Sequence, residues 1–175
     1  MSNWKAKVTI CQGDITDEDC HVIVNAANED LRRGGGVCGA VHLVAGPELE
    51  EACADIGGCP TGEAVMTDAF DLPCKKVIHA VGPIYGGGAG QEEAELLESC
   101  YLESMNLCGA EGFSSIAFPG ISTGTYGYPL EEACLIALEA VKTGLEDNPD
   151  ITDVRLVCFT LGDLDQYERT FEEME

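Results

Sequence analysis

Apolar and polar positions along this chain follow two alternating rhythms: short runs with a period of two, and longer stretches with a period near that of an α-helix. Lys7 to Cys11 alternates as a strand does. Val22 to Ala26 is a β-branched apolar run that reads as a buried strand. Val37 to Ala45 is apolar and compatible with a helix. Pro47 opens a second helix, with Glu48, Glu50 and Glu51 early in it, where acids suit the dipole. Further strands are predicted over Ala64 to Ala69, Lys76 to Val81, Ser115 to Phe118 and Val154 to Phe159. Further helices are predicted over Glu92 to Cys108, Pro129 to Leu145 and Asp163 to Met174. The run Gly86-Gly87-Gly88-Ala89-Gly90 reads as a flexible break. This alternation predicts an α/β fold with helices on both faces of a sheet, and such sheets bind ligands beyond the carboxyl ends of their strands. No repeat or long linker interrupts it, so residues 1–175 are expected to form a single domain.

Composition narrows the class. A chain of 175 residues, 45% of them hydrophobic, has enough apolar surface for a core without staples. No segment approaches the ~18 apolar residues of a spanning helix, and the start, MSNWKAKVTI, lacks the apolar run of a signal peptide, so no membrane association is expected. The ten cysteines are scattered through apolar contexts, with no CxxC, and His21, His42 and His79 do not cluster with them along the chain. They read as free thiols in a reducing cytoplasm, with no metal site. Nine basic residues against 32 acidic ones give a net charge of −23. Such a surface repels nucleic acid and anionic lipid. A phosphate-bearing ligand must then be held by backbone N–H groups and helix N-termini.

Three loops after predicted strands carry groups able to grip a ligand. In Gly13-Asp14-Ile15-Thr16, Asp14 is either a turn or N-cap residue or an acceptor for an exocyclic amine such as adenine's. In the second, Asn25-Ala26-Ala27-Asn28 precedes Gly34-Gly35-Gly36-Val37-Cys38-Gly39, where successive glycines let a pyrophosphate approach the backbone. The GxGxxG spacing there is not a dinucleotide fingerprint, because several residues separate it from the strand. The third loop, Gly120 to Pro129, contains GxSxG, yet no histidine follows His79 in the chain and no sharp elbow leads into a helix. Ser122 is therefore not a triad nucleophile. Its small residues ending in Tyr126 suit a phosphate cradle, or else an ordinary surface turn.

Taken together, GDIT, VIVNAAN, GGGVCGAVH, CPTGEAV, DLPCKKVIHAVGPIY, SIAFPGISTGTYGYP and the closing VCF…YERTF resemble the macro domain, and within it the MacroD-like branch that includes bacterial O-acetyl-ADP-ribose deacetylases. The resemblance runs from about residue 8 to about residue 172. It implies a three-layer α/β/α sandwich with a mixed central sheet and an ADP-ribose cleft at the strand ends. By that resemblance Asp14 receives the adenine amine beside Ile15, and Asn28 faces the distal ribose. Gly36, Val37, Ser122, Thr123, Gly124 and Thr125 hold the phosphates and distal ribose, Tyr126 packs on ribose, and Phe159 lies near adenine.

The implied chemistry is hydrolysis of an ester at the distal ribose, in O-acetyl-ADP-ribose or in proteins mono-ADP-ribosylated on Glu or Asp. Neither metal nor cofactor is called for. The partners implied are these ligands alone, with a monomer as the default. One position departs from the pattern. Active relatives commonly carry GGGVDG, whose Asp is proposed as general base, and here Cys38 takes that place. A thiol is mostly protonated at neutral pH and so accepts a water proton poorly. A helix N-terminus favours the thiolate, which keeps a catalytic Cys38 open beside its reading as a small apolar filler. A reader module that binds ADP-ribose without turnover is the alternative.

Overall fold

The computed structural model describes residues 3–86 and 90–175, so part of the predicted glycine break lies outside the described residues. Six strands form one sheet: β1 (Val8–Gln12), β2 (Val22–Ala27), β3 (Ala64–Asp68), β4 (Lys76–Val81), β5 (Ser115–Phe118) and β6 (Asp153–Cys158). Five helices accompany them: α1 (Gly36–Ala45), α2 (Pro47–Ile56), α3 (Gln91–Ala110), α4 (Leu130–Asp147) and α5 (Leu161–Glu173). Every predicted element is present, with ends within two residues of the reading from pattern.

The sheet order is β1-β6-β5-β2-β4-β3. All neighbours pair in parallel except β3, which lies antiparallel to β4 at one edge. The sheet is therefore mixed. Strand periodicity divides the interior into two layers. Val22 and Val24 of β2, Ile78 and Ala80 of β4, and Ile116 and Phe118 of β5 join Leu97, Tyr101 and Met105 of α3 and Leu138 of α4 in one core. Ile23, Ala27, Val77, Val81 and Ala117 point the other way, onto Val41 and Ala45 of α1 and Leu49 and Cys53 of α2. Helices thus cover both faces of the sheet.

Local chemistry sets the helix ends. Pro47 begins α2 directly after Gly46, which holds φ +92°, and Gly57 ends it at φ +89° in the left-handed region that favours glycine. Thr160 caps α5 by accepting a hydrogen bond from Asp163 N at 3.1 Å. All ten cysteines are free, and nine of them are buried. Among the described residues, no helix is long and apolar enough to cross a membrane.

Candidate functional site

A cavity of about 650 Å³ opens beyond the carboxyl ends of β1, β2, β4, β5 and β6. That is the size of a nucleotide-class ligand. Asp14, Ile15, Asn28, Gly36, Val37, Cys38, Ser122, Thr123, Gly124, Thr125, Tyr126 and Phe159 all line it. The three loops singled out in the sequence therefore share one cleft. Its lining contains no Lys, Arg or His, and its acidic members are Asp14 and Asp163.

The first wall is the turn leading into α1. The helix is preceded by Gly35 in an extended conformation, and no side chain caps its first amides. Gly36, Val37 and Cys38, whose first-turn N–H groups have no intrahelical partner, line the cleft. Gly36 sits at φ +55°, where a side chain would strain the backbone. Gly39 allows a close approach behind the turn: a Cβ there would lie 2.6 Å from Gly34 O.

The second wall is the loop after β5. Among the described residues, none of the amides from Ser122 to Tyr126 donates a hydrogen bond. The loop is held by other atoms. Tyr128 N donates to Ser122 O at 2.9 Å, Gly127 N to Gly124 O at 3.0 Å, and Tyr85 N to Tyr126 O at 2.9 Å. Ser122 adopts φ +66° although it has a side chain, and its buried Oγ has no partner among the described residues. The strained backbone is held by packing behind the loop, toward Gly82, where the hydroxyl is buried. Gly82, at the end of β4, makes room for this wall, since a Cβ there would lie 2.3 Å from Ser122 Oγ and 2.6 Å from Ile121 Cγ2.

Several side chains have a second employment. Asp14 caps the 3-10 turn Ile15–Asp17, its Oδ1 accepting from Thr16 N at 2.9 Å and Thr16 Oγ1 at 2.6 Å, and its other oxygen stays available to a ligand. Cap and ligand acceptor are compatible. Asn28 is tied to the loop it precedes, with Nδ2 donating to Arg32 O at 2.8 Å and Oδ1 accepting from Arg32 N at 3.0 Å. One N–H of its amide and one acceptor position remain. Cys38 is 7% exposed, and its thiol donates to Arg32 O at 3.5 Å. It is a buried filler and a cleft residue together. Phe159 lies just past β6 and is 78% exposed, an aromatic face at the rim.

The separation of histidines from cysteines along the chain does not hold in space. His79 Nε2 lies 3.8 Å from Cys53 Sγ, and the His42 ring stands 6.5 Å from the His79 ring. Packing of α1 and α2 on the sheet brings His42 and Cys53 to His79 of β4. No group of three metal-capable side chains forms there among the described residues. Burial, with His42 a smaller contribution, pushes the His79 pKa down to about 3, and burial pushes Cys53 up to about 11.

Asp163 and Tyr167 of α5, Leu130 of α4 and Gly82 also line the cleft and were not read from the sequence. For α5 a signal existed, because Asp163 and Tyr167 are four apart on one helix face just after the last strand.

Comparison with known proteins agrees with this geometry. The family model described as Macro domain matches residues 24–137. The O-acetyl-ADP-ribose deacetylase of Escherichia coli is 46% identical over 169 residues, covering 94% of this chain and 95% of that protein. A macro domain-containing protein of Chlorobaculum tepidum is 50% identical over 158 residues, covering 90% and 91%. The Oceanobacillus iheyensis macrodomain solved with ADP superposes with a TM-score of 0.88 at 43% identity, covering 92% of this chain and 87% of that one. The Trypanosoma brucei macrodomain in complex with ADP-ribose gives 0.87 at 38% identity, covering 93% and 68%. Two turns of unpaired amides facing one cleft, in a chain with these relatives, lead to a single assignment: the chain belongs to the macro domain family.

Proposed function

We propose that the cleft binds ADP-ribose through main-chain amides and that the protein hydrolyses ADP-ribosyl esters, either O-acetyl-ADP-ribose or mono-ADP-ribose on Glu or Asp side chains. The observation that carries this reading is the pair of facing turns whose N–H groups are unpaired, in a cavity with no basic side chain. Such an array matches a diphosphate, which takes several hydrogen bonds from peptide amides without a counter-cation. Relatives named for O-acetyl-ADP-ribose deacetylation and for a complex with ADP-ribose support the first of these substrates, O-acetyl-ADP-ribose, and the ligand.

Adenine is placed between Asp14 and the Phe159 rim, and the distal ribose at Asn28 and Cys38. Binding at the adenine end holds the ester near attacking water. Water adds to the ester carbonyl carbon, the bond to the ribose oxygen breaks, and a proton returns to that oxygen. The remaining N–H of Asn28 is available to a ribose hydroxyl, and the Cys38 sulfur is the cleft atom assigned to the water proton. No metal takes part in this scheme.

The test is incubation of pure protein with O-acetyl-ADP-ribose and with Glu-linked mono-ADP-ribosyl protein. Release of acetate or ADP-ribose well above a heat-killed control is expected, and its absence from both sinks the hydrolase. A non-catalytic reader is the second reading, favoured by a thiol where relatives of the MacroD-like branch use a carboxylate. Calorimetric binding of ADP-ribose without turnover selects it. The variant Cys38→Asp separates the two further: a rate gain on the order of 100-fold shows that position 38 limits catalysis.

A further inference from the structure

Beneath the first wall lies a buried polar chain that the reaction scheme leaves unused. Asn25 of β2 and His79 of β4 face each other in register, and both are buried, at 0% and 1% exposure. Asn25 Nδ2 lies 3.0 Å from His79 Nδ1 and 3.8 Å from Cys38 Sγ. On the other side of the ring, His79 Nε2 lies 2.9 Å from Thr67 Oγ1 of β3.

The direction of these bonds follows from the Asn25 amide nitrogen, which can only donate, so His79 Nδ1 is its acceptor and the proton of neutral His79 sits on Nε2. Thr67 Oγ1 accepts from Nε2 and has Asp68 O at 3.0 Å for its own proton. The second N–H of the Asn25 amide is then directed at Cys38 Sγ.

We infer that His79 is a positioning residue for Cys38: in the Nε2–H tautomer, with Thr67 accepting from Nε2, it holds the Asn25 amide with one N–H on the Cys38 sulfur. The titratable groups facing His79 are His42 from α1 and Cys53 from α2. Burial keeps His79 and Cys53 uncharged through the neutral range, so the donor does not reverse there. When Cys38 ionises it loses its own bond to Arg32 O and keeps the one from Asn25. The chain therefore supplies the Cys38 sulfur with a donor whether or not the sulfur carries its own proton. Its bearing on hydrolysis rests on the reading above, and the readouts below do not use hydrolysis, so the two fail separately.

The first measurement needs no variant. Nitrogen-15 spectra of histidine-labelled protein are expected to show His79 protonated at Nε2 and bare at Nδ1 from about pH 8 to about pH 5. The opposite tautomer, or a charged ring in that range, overturns the inference. The second is the rate of alkylation of Cys38 at about pH 7, followed peptide by peptide. His79→Phe is expected to slow it roughly tenfold. Thr67→Val slows it less, and Thr67→Ser, which keeps the hydroxyl, restores the native rate. A folded His79→Phe protein with the native rate overturns the inference. If that variant does not fold, a native rate in Thr67→Val does so instead.

Discussion

The two walls of the cleft present the same groups to a ligand and are supported in opposite ways. The turn into α1 rests on polar side chains: Asn28 clasps Arg32, the Cys38 thiol bonds to the same carbonyl, and Asn25 and His79 lie below. The loop after β5 rests on apolar packing and its own backbone, with Ile121 and Tyr128 buried in the larger core and three main-chain bonds closing it. The first wall is open on its cleft side, since a Cβ on Gly35 or Gly36 meets nothing within 4 Å, and is close-packed only behind, at Gly39. The second is so tightly backed that Gly82 admits no side chain. Amides can be presented by a scaffold of hydrogen bonds or by one of close contact, and the two should fail differently.

The largest difference is expected from alanine at one glycine behind each wall. Gly82→Ala forces Ser122 and Ile121 out of place, costs about 1–3 kcal/mol of stability and weakens ADP-ribose binding by on the order of 100-fold. Gly35→Ala should leave the melting temperature unchanged and weaken binding roughly tenfold, because its methyl enters the open space of the cleft. Calorimetry paired with thermal unfolding separates the two outcomes, and a Gly35→Ala protein that melts early would show that the first wall is as tightly backed as the second.

Ser122→Gly comes next. Relief of the positive φ raises stability by about 1 kcal/mol, while a loop no longer held by this side chain binds severalfold more weakly. Unchanged affinity would show that the Ser122 side chain, packed toward Gly82, does not set the shape of the loop.

Acid should distinguish the walls as well. His79 is harder to protonate folded than unfolded, so the unfolded chain binds the extra proton between about pH 6.5 and about pH 3. Stability is fully present above that window and falls as pH drops through it. Amide protection factors, corrected for intrinsic exchange, should fall from about pH 7 to about pH 5 in α1 before they do at Gly127 and Tyr128, whose amides close the second loop. The smallest effect concerns both walls equally. With −23 on the chain and no cation in the cleft, raising KCl from about 0.05 M to about 1 M should tighten ADP-ribose binding a fewfold. Looser binding in salt would mean that some Lys or Arg reaches the ligand.

Periodicity made the elements legible, because strands with one face on each core leave a period of two and the longer helices carry apolar stripes. The cleft residues were legible as small-residue loops after strands, with the family resemblance giving them roles. The support beneath them was not. Asn25 and His79 are 54 positions apart and His79 and Thr67 are 12 apart, and only strand register brings them together. The same is true of Gly82, whose need to be glycine arises from a loop some 40 residues later in the chain. Asp14 read as a ligand group or a local cap and Asn28 as a ligand group; in three dimensions both have a local role and keep positions for a ligand, because each has more hydrogen-bonding positions than that role consumes.

A grip made of peptide nitrogen has a chemical consequence. Lysine-based anion sites are inactivated by acyl donors and aldehydes, and arginine-based ones by dicarbonyls, because the gripping atom is itself a nucleophile. Here the cleft offers electrophiles the Cys38 sulfur and no amine or guanidinium. A binding site that handles acylated metabolites is thereby proof against acylation of its own anion-holding groups, and phenylglyoxal should leave its ligand affinity intact.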